Sequence, residues 1–231
     1  MEENKTVTVT ALMQTAVKVI TSPAAFFREM PKSGGFSLPL AFMVMMGVIN
    51  GLVTAALGLF DIASNPIFST GMMMVSIVLY PFAELSRTPI LSTGMAIASI
   101  MLYPLAYAVL GFAGAGLVFA VWKIMGSRES YETAYSCVAY LAAFMPITTL
   151  LLVIPYAGLL VSVALLTYLY VLISRKVHGI AFTRAWVVFG LIGVMLFFMG
   201  IGADIRAQVV RKRIVDLQKT TDSDSLDHRY R

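Results

Sequence analysis

Long apolar runs separated by short charged stretches dominate the chain. The clearest case is the stretch 131–174, in which two apolar runs of roughly 20 residues each meet at Ile154-Pro155-Tyr156-Ala157-Gly158. A helix rises about 1.5 Å per residue, so about 20 residues match a hydrocarbon core of about 30 Å. The pattern therefore predicts a membrane-spanning helical hairpin that turns at Pro155 and Gly158.

The other apolar runs extend this interpretation to the whole chain, which we predict to be an all-α polytopic membrane protein with five transmembrane helices. The expected spans cover about residues 36–60, 105–124, 133–153, 157–174 and 185–202. They form a transmembrane domain over 36–202, preceded by an N-terminal segment, 1–35, and followed by a tail, 203–231. Only 13% of the residues are charged, against about 25% in soluble domains. A membrane β-barrel would instead show period-two alternation.

The N-terminal segment predicts an amphipathic helix. Apolar residues recur with helical spacing from Thr10 to Ile20, and Ser22-Pro23 is typical of a helix start. Phe26 and Phe27 follow beside charged residues. We expect this segment to lie in the membrane interface, with its aromatic side chains below the headgroups. The alternative is a soluble helix packed against the loops.

A duplicated segment precedes the second span. Residues 69–83 and 92–106 are identical at ten of fifteen positions. Each copy has about twelve apolar residues before its proline, some 18 Å of helix, which is short of a full span. We interpret the repeat as a re-entrant or interfacial segment followed by the second span. The alternative is that Pro66 to Leu85 forms a complete additional span.

Small residues and prolines mark positions where helices pack closely or bend. Gly47 and Gly51 have the GxxxG spacing that allows another helix to approach, and Asn50 between them could bond across that contact. Close packing within one chain and self-association both use such a face. The candidate packing or bending positions are Gly47, Gly51, Pro104, Pro146, Pro155 and Gly158.

Other residues are typical of membrane boundaries. Trp122 and Trp186 flank charged loops and are predicted to lie in the interface, as Phe26 and Phe27 are. The tail carries the candidate anionic-lipid contacts Arg211, Lys212 and Arg213, before a polar end that we expect to be disordered. The alternative for this basic segment is a flank that extends the last helix.

Basic loops favour five spans with the N-terminus inside. That orientation places the charges of the loops 123–132 and 175–184 in the cytoplasm, but it leaves the basic tail outside. A six-span alternative would bring the tail inside and expel both basic loops.

Residue types that support catalysis are sparse. None of the five predicted spans carries an acidic or basic residue in its central part, and no motif of a nucleotide-binding loop, serine hydrolase or zinc protease occurs. Cys137 is the single cysteine, and His178 and His228 lie in different segments. We expect His178 to be an exposed loop residue. The sequence predicts neither an enzyme nor a cofactor, metal or nucleic-acid partner.

The order of features resembles the Yip domain family of Ypt-interacting proteins. The resemblance rests on Ser22-Pro23 with Phe26-Phe27, on Tyr135, Tyr140 and Pro146, on the break 154–158, and on the basic Arg175-Lys176 loop. The family implies five spans. Its eukaryotic members are implicated in Rab GTPase binding, vesicle traffic and membrane shaping. The acidic-aromatic DLYGP-type stretch of those members is missing here, and the compact form is similar to bacterial members, which implies the inner membrane.

Together, these features predict a non-enzymatic membrane protein that organises the bilayer or partner proteins. Its expected partners are the lipid bilayer and other membrane proteins or further copies of itself. The alternative is a channel or carrier for a neutral or lipidic small solute, favoured by the proline-broken spans and Asn50.

Overall fold

The computed structural model describes residues 8–32, 34–59, 89–154 and 156–227. The first repeat copy, the alternative span from Pro66 to Leu85 and the turn residue Pro155 lie outside these ranges. Every regular element in the described ranges is helical. The elements are α1 (Val9–Thr21), α2 (Pro23–Glu29), α3 (Ser37–Leu59), α4 (Pro89–Ile124), α5 (Tyr131–Leu141), a 3₁₀ turn (Ala142–Phe144), α6 (Met145–Leu151), α7 (Ala157–Lys176) and α8 (Phe182–Asp227).

Five stretches of these helices are long and apolar enough to cross a membrane. They are Ser37–Leu57, Tyr107–Ile124, Tyr131–Leu151, Ala157–Lys176 and Phe182–Gly202. The all-helical fold class with five membrane-crossing segments is thereby confirmed.

The third of these segments is built from α5, the 3₁₀ turn and α6. The change of helical geometry comes directly before Pro146, which lies in the first turn of α6. A proline there lacks the N–H that an uninterrupted α-helix would need, and the tighter 3₁₀ turn accommodates that loss.

The bundle is assembled from two packed groups of helices. In one, α3 lies along α4, and α5 packs against both; in the other, α8 lies along α7. The two groups share one buried apolar core, to which α1 and α2 contribute Val19 and Phe27. The short N-terminal helices thus complete the core at the end of the bundle where the loops 123–130 and 177–181 lie, which we call the basic end.

Pro104 does not separate the second repeat copy from the second span. It lies inside α4, which is one helix of 36 residues, about 54 Å long. Prolines are tolerated inside membrane helices when neighbouring groups compensate the lost hydrogen bond. The described copy is therefore the beginning of a long helix, whereas the sequence predicted a separate re-entrant or interfacial element.

The tail also differs from its prediction, because α8 continues as a helix to Asp227. Residues 203–227 contain neither glycine nor proline, so nothing in the sequence interrupts a helix that the last span has already nucleated. Arg211, Lys212 and Arg213 lie on this extension, as in the alternative of a flank that lengthens the last helix.

Candidate functional site

A cavity of about 550 Å³ lies between the two groups of helices. One wall is α4, the facing wall is formed by α7 and α8, and residues of α3, α5 and α6 close its back. Leu117 of α4 and Leu196 of α8 line the cavity and are still 66% and 49% exposed. The cavity is therefore a cleft with a mouth between α4 and α8, and we call it the lateral cleft.

A hydrogen-bonded polar group lies at the end of the lateral cleft that is farther from the basic end. The Asn50 amide nitrogen donates to the Tyr107 hydroxyl at 2.9 Å, and the Thr149 hydroxyl donates to the Asn50 amide oxygen at 2.8 Å. Asn50 is only 2% exposed. An amide in an apolar interior is costly unless it is bonded, so these contacts from α4 and α6 hold it in place. We call these three residues the Asn50 group.

Aromatic rings close the lateral cleft at the opposite end. Tyr170 and Phe189 stack with ring centroids 5.2 Å apart, and both line the cavity. Trp122 lies against them at 6.3 and 6.2 Å. These distances are typical of favourable aromatic pairs. The three rings join α4 to the α7–α8 pair, and we call them the aromatic gate.

Trp122, one of the three rings of the aromatic gate, also forms a buried pair with His178. Their rings stack at 4.0 Å, the Trp122 indole donates to the Ser174 hydroxyl at 2.8 Å, and His178 Nδ1 lies 2.7 Å from the Ser127 hydroxyl. His178 is only 7% exposed, so the prediction of an exposed loop residue is wrong. Trp122 is fully buried too, and its ring contacts protein side chains.

The backbone of the loop after α7 explains this burial. The amide of Ile180 bonds back to the Ser174 carbonyl at 2.9 Å, and Gly179 adopts a φ of 65°. This left-handed conformation suits glycine and folds the loop back over the bundle. Burial lowers the pKa of His178 to about 4, so its ring is neutral at pH 7. The ring partners lie 56 positions apart in the sequence, and no spacing rule connects them.

The linker before α3 is held to the start of α5 by charged contacts. Lys32 pairs with Glu129 at 2.6 Å, and its carbonyl accepts a bond from the Thr133 hydroxyl at 2.8 Å. The amides of Gly34 and Gly35 both donate to one oxygen of Glu132, at 2.7 and 2.5 Å. Gly35 has a φ of 78°, which glycine adopts without strain. We call these contacts the linker clamp.

Two of the candidate packing glycines lie at close backbone approaches. A Cβ at Gly47 would lie 2.7 Å from the Cα of Pro104, so these two predicted positions are brought together where α3 crosses α4. A Cβ at Gly158 would collide with the Leu151 carbonyl oxygen, at the turn between α6 and α7. Gly51 is buried one turn beyond Gly47 in α3.

The predicted interfacial aromatics have different surroundings. Phe27 is buried in the core, and Phe26 packs edge-on against Tyr140 of α5 with ring centroids 5.0 Å apart. Both rings pack on protein side chains, and α2 lies against α7. Trp186 stays partly exposed beside Phe182.

Helix α1 carries three distinct faces. Leu12, Ala16 and Val19 are buried against the bundle. An exposed apolar ridge, which we call the α1 ridge, comes next around the helix, and beyond it runs an exposed polar stripe. The α1 ridge consists of Val9, Met13, Val17 and Ile20, and the polar stripe of Thr10, Gln14, Lys18 and Thr21.

The lateral cleft and the α1 ridge present apolar and neutral polar side chains. Within the described ranges, no three His, Cys, Asp or Glu side chains come together in a way that could hold a metal ion. The lateral cleft offers apolar walls and the neutral Asn50 group, and the α1 ridge offers exposed aliphatic side chains.

Comparison with known proteins connects this architecture with one family. A sequence model of the Yip1 domain matches residues 17–203. No curated protein and no solved structure matches the chain. The matched residues begin in α1, include both helices that form the mouth of the lateral cleft, and end where the apolar part of α8 ends. The resemblance predicted from the sequence is thereby confirmed, and the chain is a membrane protein of the Yip1 domain family.

Proposed function

We propose that this protein organises the bilayer, without catalysing a reaction, by inserting the α1 ridge into the leaflet at the basic end. The observation that carries the proposal is the α1 ridge itself. It lies between the face of α1 packed on the bundle and the polar stripe. Such an order around a helix suits a position at the membrane boundary, with lipid on one side and water on the other.

The side chains of the α1 ridge would gain free energy from this insertion. Full burial of one aliphatic side chain contributes about 1.5–3 kcal/mol. Four partly exposed residues would then contribute roughly 4 kcal/mol together. Because α1 is docked on the bundle, its volume would be added to one leaflet only, and such asymmetry favours membrane curvature.

The surroundings that we propose are the bacterial inner membrane, with the basic end in the cytoplasm. The charged loops 123–130 and 175–184 support this orientation under the positive-inside rule. Contact of the helical extension with anionic lipid through Arg211, Lys212 and Arg213 belongs to the same proposal, as does association with other membrane proteins or further copies of the chain.

Reconstitution at matched protein density tests the organising role. Vesicles of phosphatidylethanolamine and phosphatidylglycerol containing the native chain should be smaller and more curved than protein-free vesicles in electron micrographs. The double variant Met13→Asp, Val17→Asp places charges on the α1 ridge and should restore the protein-free size distribution. The matched control Gln14→Asp, on the polar stripe, should behave as the native chain. Equal vesicle sizes with and without native protein would refute the role.

The lateral cleft favours a second candidate function, a channel or carrier for a neutral or lipidic small solute. The residues that line it include Asn50, Tyr107 and Met145. Tyr107 lies one turn after Pro104, and Met145 directly precedes Pro146. Flux of glycerol and of a fluorescent lipid across the same vesicles tests it. Rapid flux that depends on the protein would support the carrier and contradict a purely organising role.

A further inference from the structure

We propose that the lateral cleft is a binding site for one uncharged long-chain lipid. Its alkyl chain would lie between α4 and α8, and a hydroxyl or ester carbonyl oxygen would bond at the Asn50 group. This inference does not depend on the proposed organising role, because the α1 ridge and the lateral cleft are separate surfaces. The proposed binding site also does not require that the protein transport the lipid across the membrane.

The mouth of the lateral cleft opens at membrane depth. Leu117 lies within the second membrane-crossing segment and Leu196 within the fifth. The molecules that meet this opening in a bilayer are lipids. A volume of about 550 Å³ is within the usual range of ligand pockets, about 300–1,000 Å³.

The shape of the lateral cleft fits a single chain. Along α4 its lining extends from Tyr107 to Val121, which corresponds to about 21 Å of helix. The aromatic gate ends it on one side, and the Asn50 group on the other. Gly114 widens the middle, since a Cβ there would meet no atom within 4 Å. An elongated space with one polar end matches a chain that carries one polar group.

The residues that line the lateral cleft disfavour a ligand with a charged group. None of the described residues that line the lateral cleft is acidic or basic. A charge at this depth without a partner is costly, whereas a hydroxyl or carbonyl oxygen can exchange hydrogen bonds with an amide and hydroxyls. The Asn50 group lies within the crossing segments but near their ends away from the basic end. The polar oxygen would therefore come from the leaflet opposite α1.

Photocrosslinking of the full chain in vesicles tests the site. The probes are a long-chain alcohol, the matching fatty acid and a diacylglycerol, each with a diazirine in the chain. Mass spectrometry should place alcohol and diacylglycerol crosslinks on the α4 and α8 residues that line the cleft. An excess of unlabelled alcohol should compete about tenfold better than the ionised acid, as expected for one favourable hydrogen bond and no buried charge.

Stronger labelling by the alcohol would identify the bound lipid as a single-chain alcohol. Stronger labelling by the diacylglycerol would identify it as a glycerolipid. Labelling spread evenly over the outer surface, or equal competition by the ionised acid, would overturn the proposal.

Two pairs of variants test whether labelling depends on the space inside the lateral cleft. Gly114→Leu places a side chain in the open middle, and Ala113→Leu makes a similar change at a neighbouring exposed position. Leu196→Trp narrows the mouth, and Met195→Trp adds a ring beside it without lining the cavity. The first member of each pair should lose about tenfold in labelling, and the second should retain it. Leu196 is exposed, so its variant is expected to fold even if Gly114→Leu does not. Undiminished labelling of Leu196→Trp would refute the site.

Discussion

At the scale of single residues, the buried pair of Trp122 and His178 has the clearest measurable consequence. Desolvation of the ring, opposed by Glu129 and assisted by Lys32 and Lys123, lowers the pKa of His178 from 6.5 to about 4. The unfolded chain therefore binds a proton at a pH where the folded chain does not. Stability is retained above about pH 6.5 and decreases as the pH falls toward 4.

We expect the native chain in detergent to lose up to about 3 kcal/mol of unfolding free energy through this group between pH 7 and pH 4. Other carboxylates titrate in the same range, so the informative quantity is a difference between variants. Thermal unfolding of His178→Gln should depend less on pH than that of the native chain. Parallel pH profiles would show that the buried imidazole does not govern acid sensitivity.

The residue scale is also where the sequence was least informative. His178 carries every property of an exposed loop residue, and only the fold-back of the loop 177–181 brings it onto Trp122. The sequence predicts that Asn50 can bond across a helix contact, but its partners Tyr107 and Thr149 come from helices whose register no local pattern specifies.

At the scale of elements, the turn between α6 and α7 depends on a close backbone approach. Gly158 donates its amide to the Ile154 carbonyl at 2.9 Å, and a methyl group there would collide with the carbonyl of Leu151. The colliding atom belongs to the backbone, so the two helices of the hairpin would have to move apart.

We predict that Gly158→Ala lowers the free energy of unfolding by about 3 kcal/mol, the upper range of overpacking costs. Gly114→Ala is the matched control, because its Cβ meets open space in a helix, and it should leave stability equal or slightly higher. Unfolding in mixed micelles measures both. A small loss at position 158, comparable with the control, would contradict the close approach.

Elements were predictable where length and missing charge decide the outcome, as for the five crossing segments. They were not predictable where neighbours compensate a local irregularity. Helix α4 continues through Pro104, which lies beside Gly47. The third crossing segment instead changes to a 3₁₀ turn directly before Pro146. A proline indicates an interruption, but tertiary contacts decide whether the helix ends, tightens or continues.

At the scale of the whole molecule, the five crossing segments of the described residues would place the N-terminal helices and the extension of α8 on opposite sides of the membrane. The linker clamp holds the N-terminal segment at the basic end, while α8 crosses once more and continues to Asp227.

We therefore predict that Ser225→Cys, in a Cys137→Ala background, reacts in intact cells with a thiol reagent that cannot cross the membrane. A cysteine at Arg128, in the loop at the basic end, should be protected until the membrane is permeabilised. Protection at position 225 together with labelling at position 128 would contradict this orientation, and it is the result expected of both an inverted topology and the six-span alternative. Protection at both positions would contradict the three crossings between these two residues.

The lateral cleft belongs to this scale as well, and it could not be predicted. Its existence depends on α4 packing along α3 while α8 packs along α7, so that two apolar helix surfaces remain apart. The hydropathy of the sequence indicates that α4 and α8 can both lie in a membrane, but it does not indicate whether these two helices contact each other.

The linker clamp has a consequence for the order in which the chain assembles. Lys32 contacts Glu129 and the carbonyl of Val177, and Gly34 and Gly35 hold Glu132. During synthesis, residues 1–35 emerge first, but their docking partners emerge about one hundred to one hundred and forty-five residues later. The N-terminal helices therefore reach their final position only after the fourth span, Ala157–Lys176, has been made, and this docking does not require the fifth span.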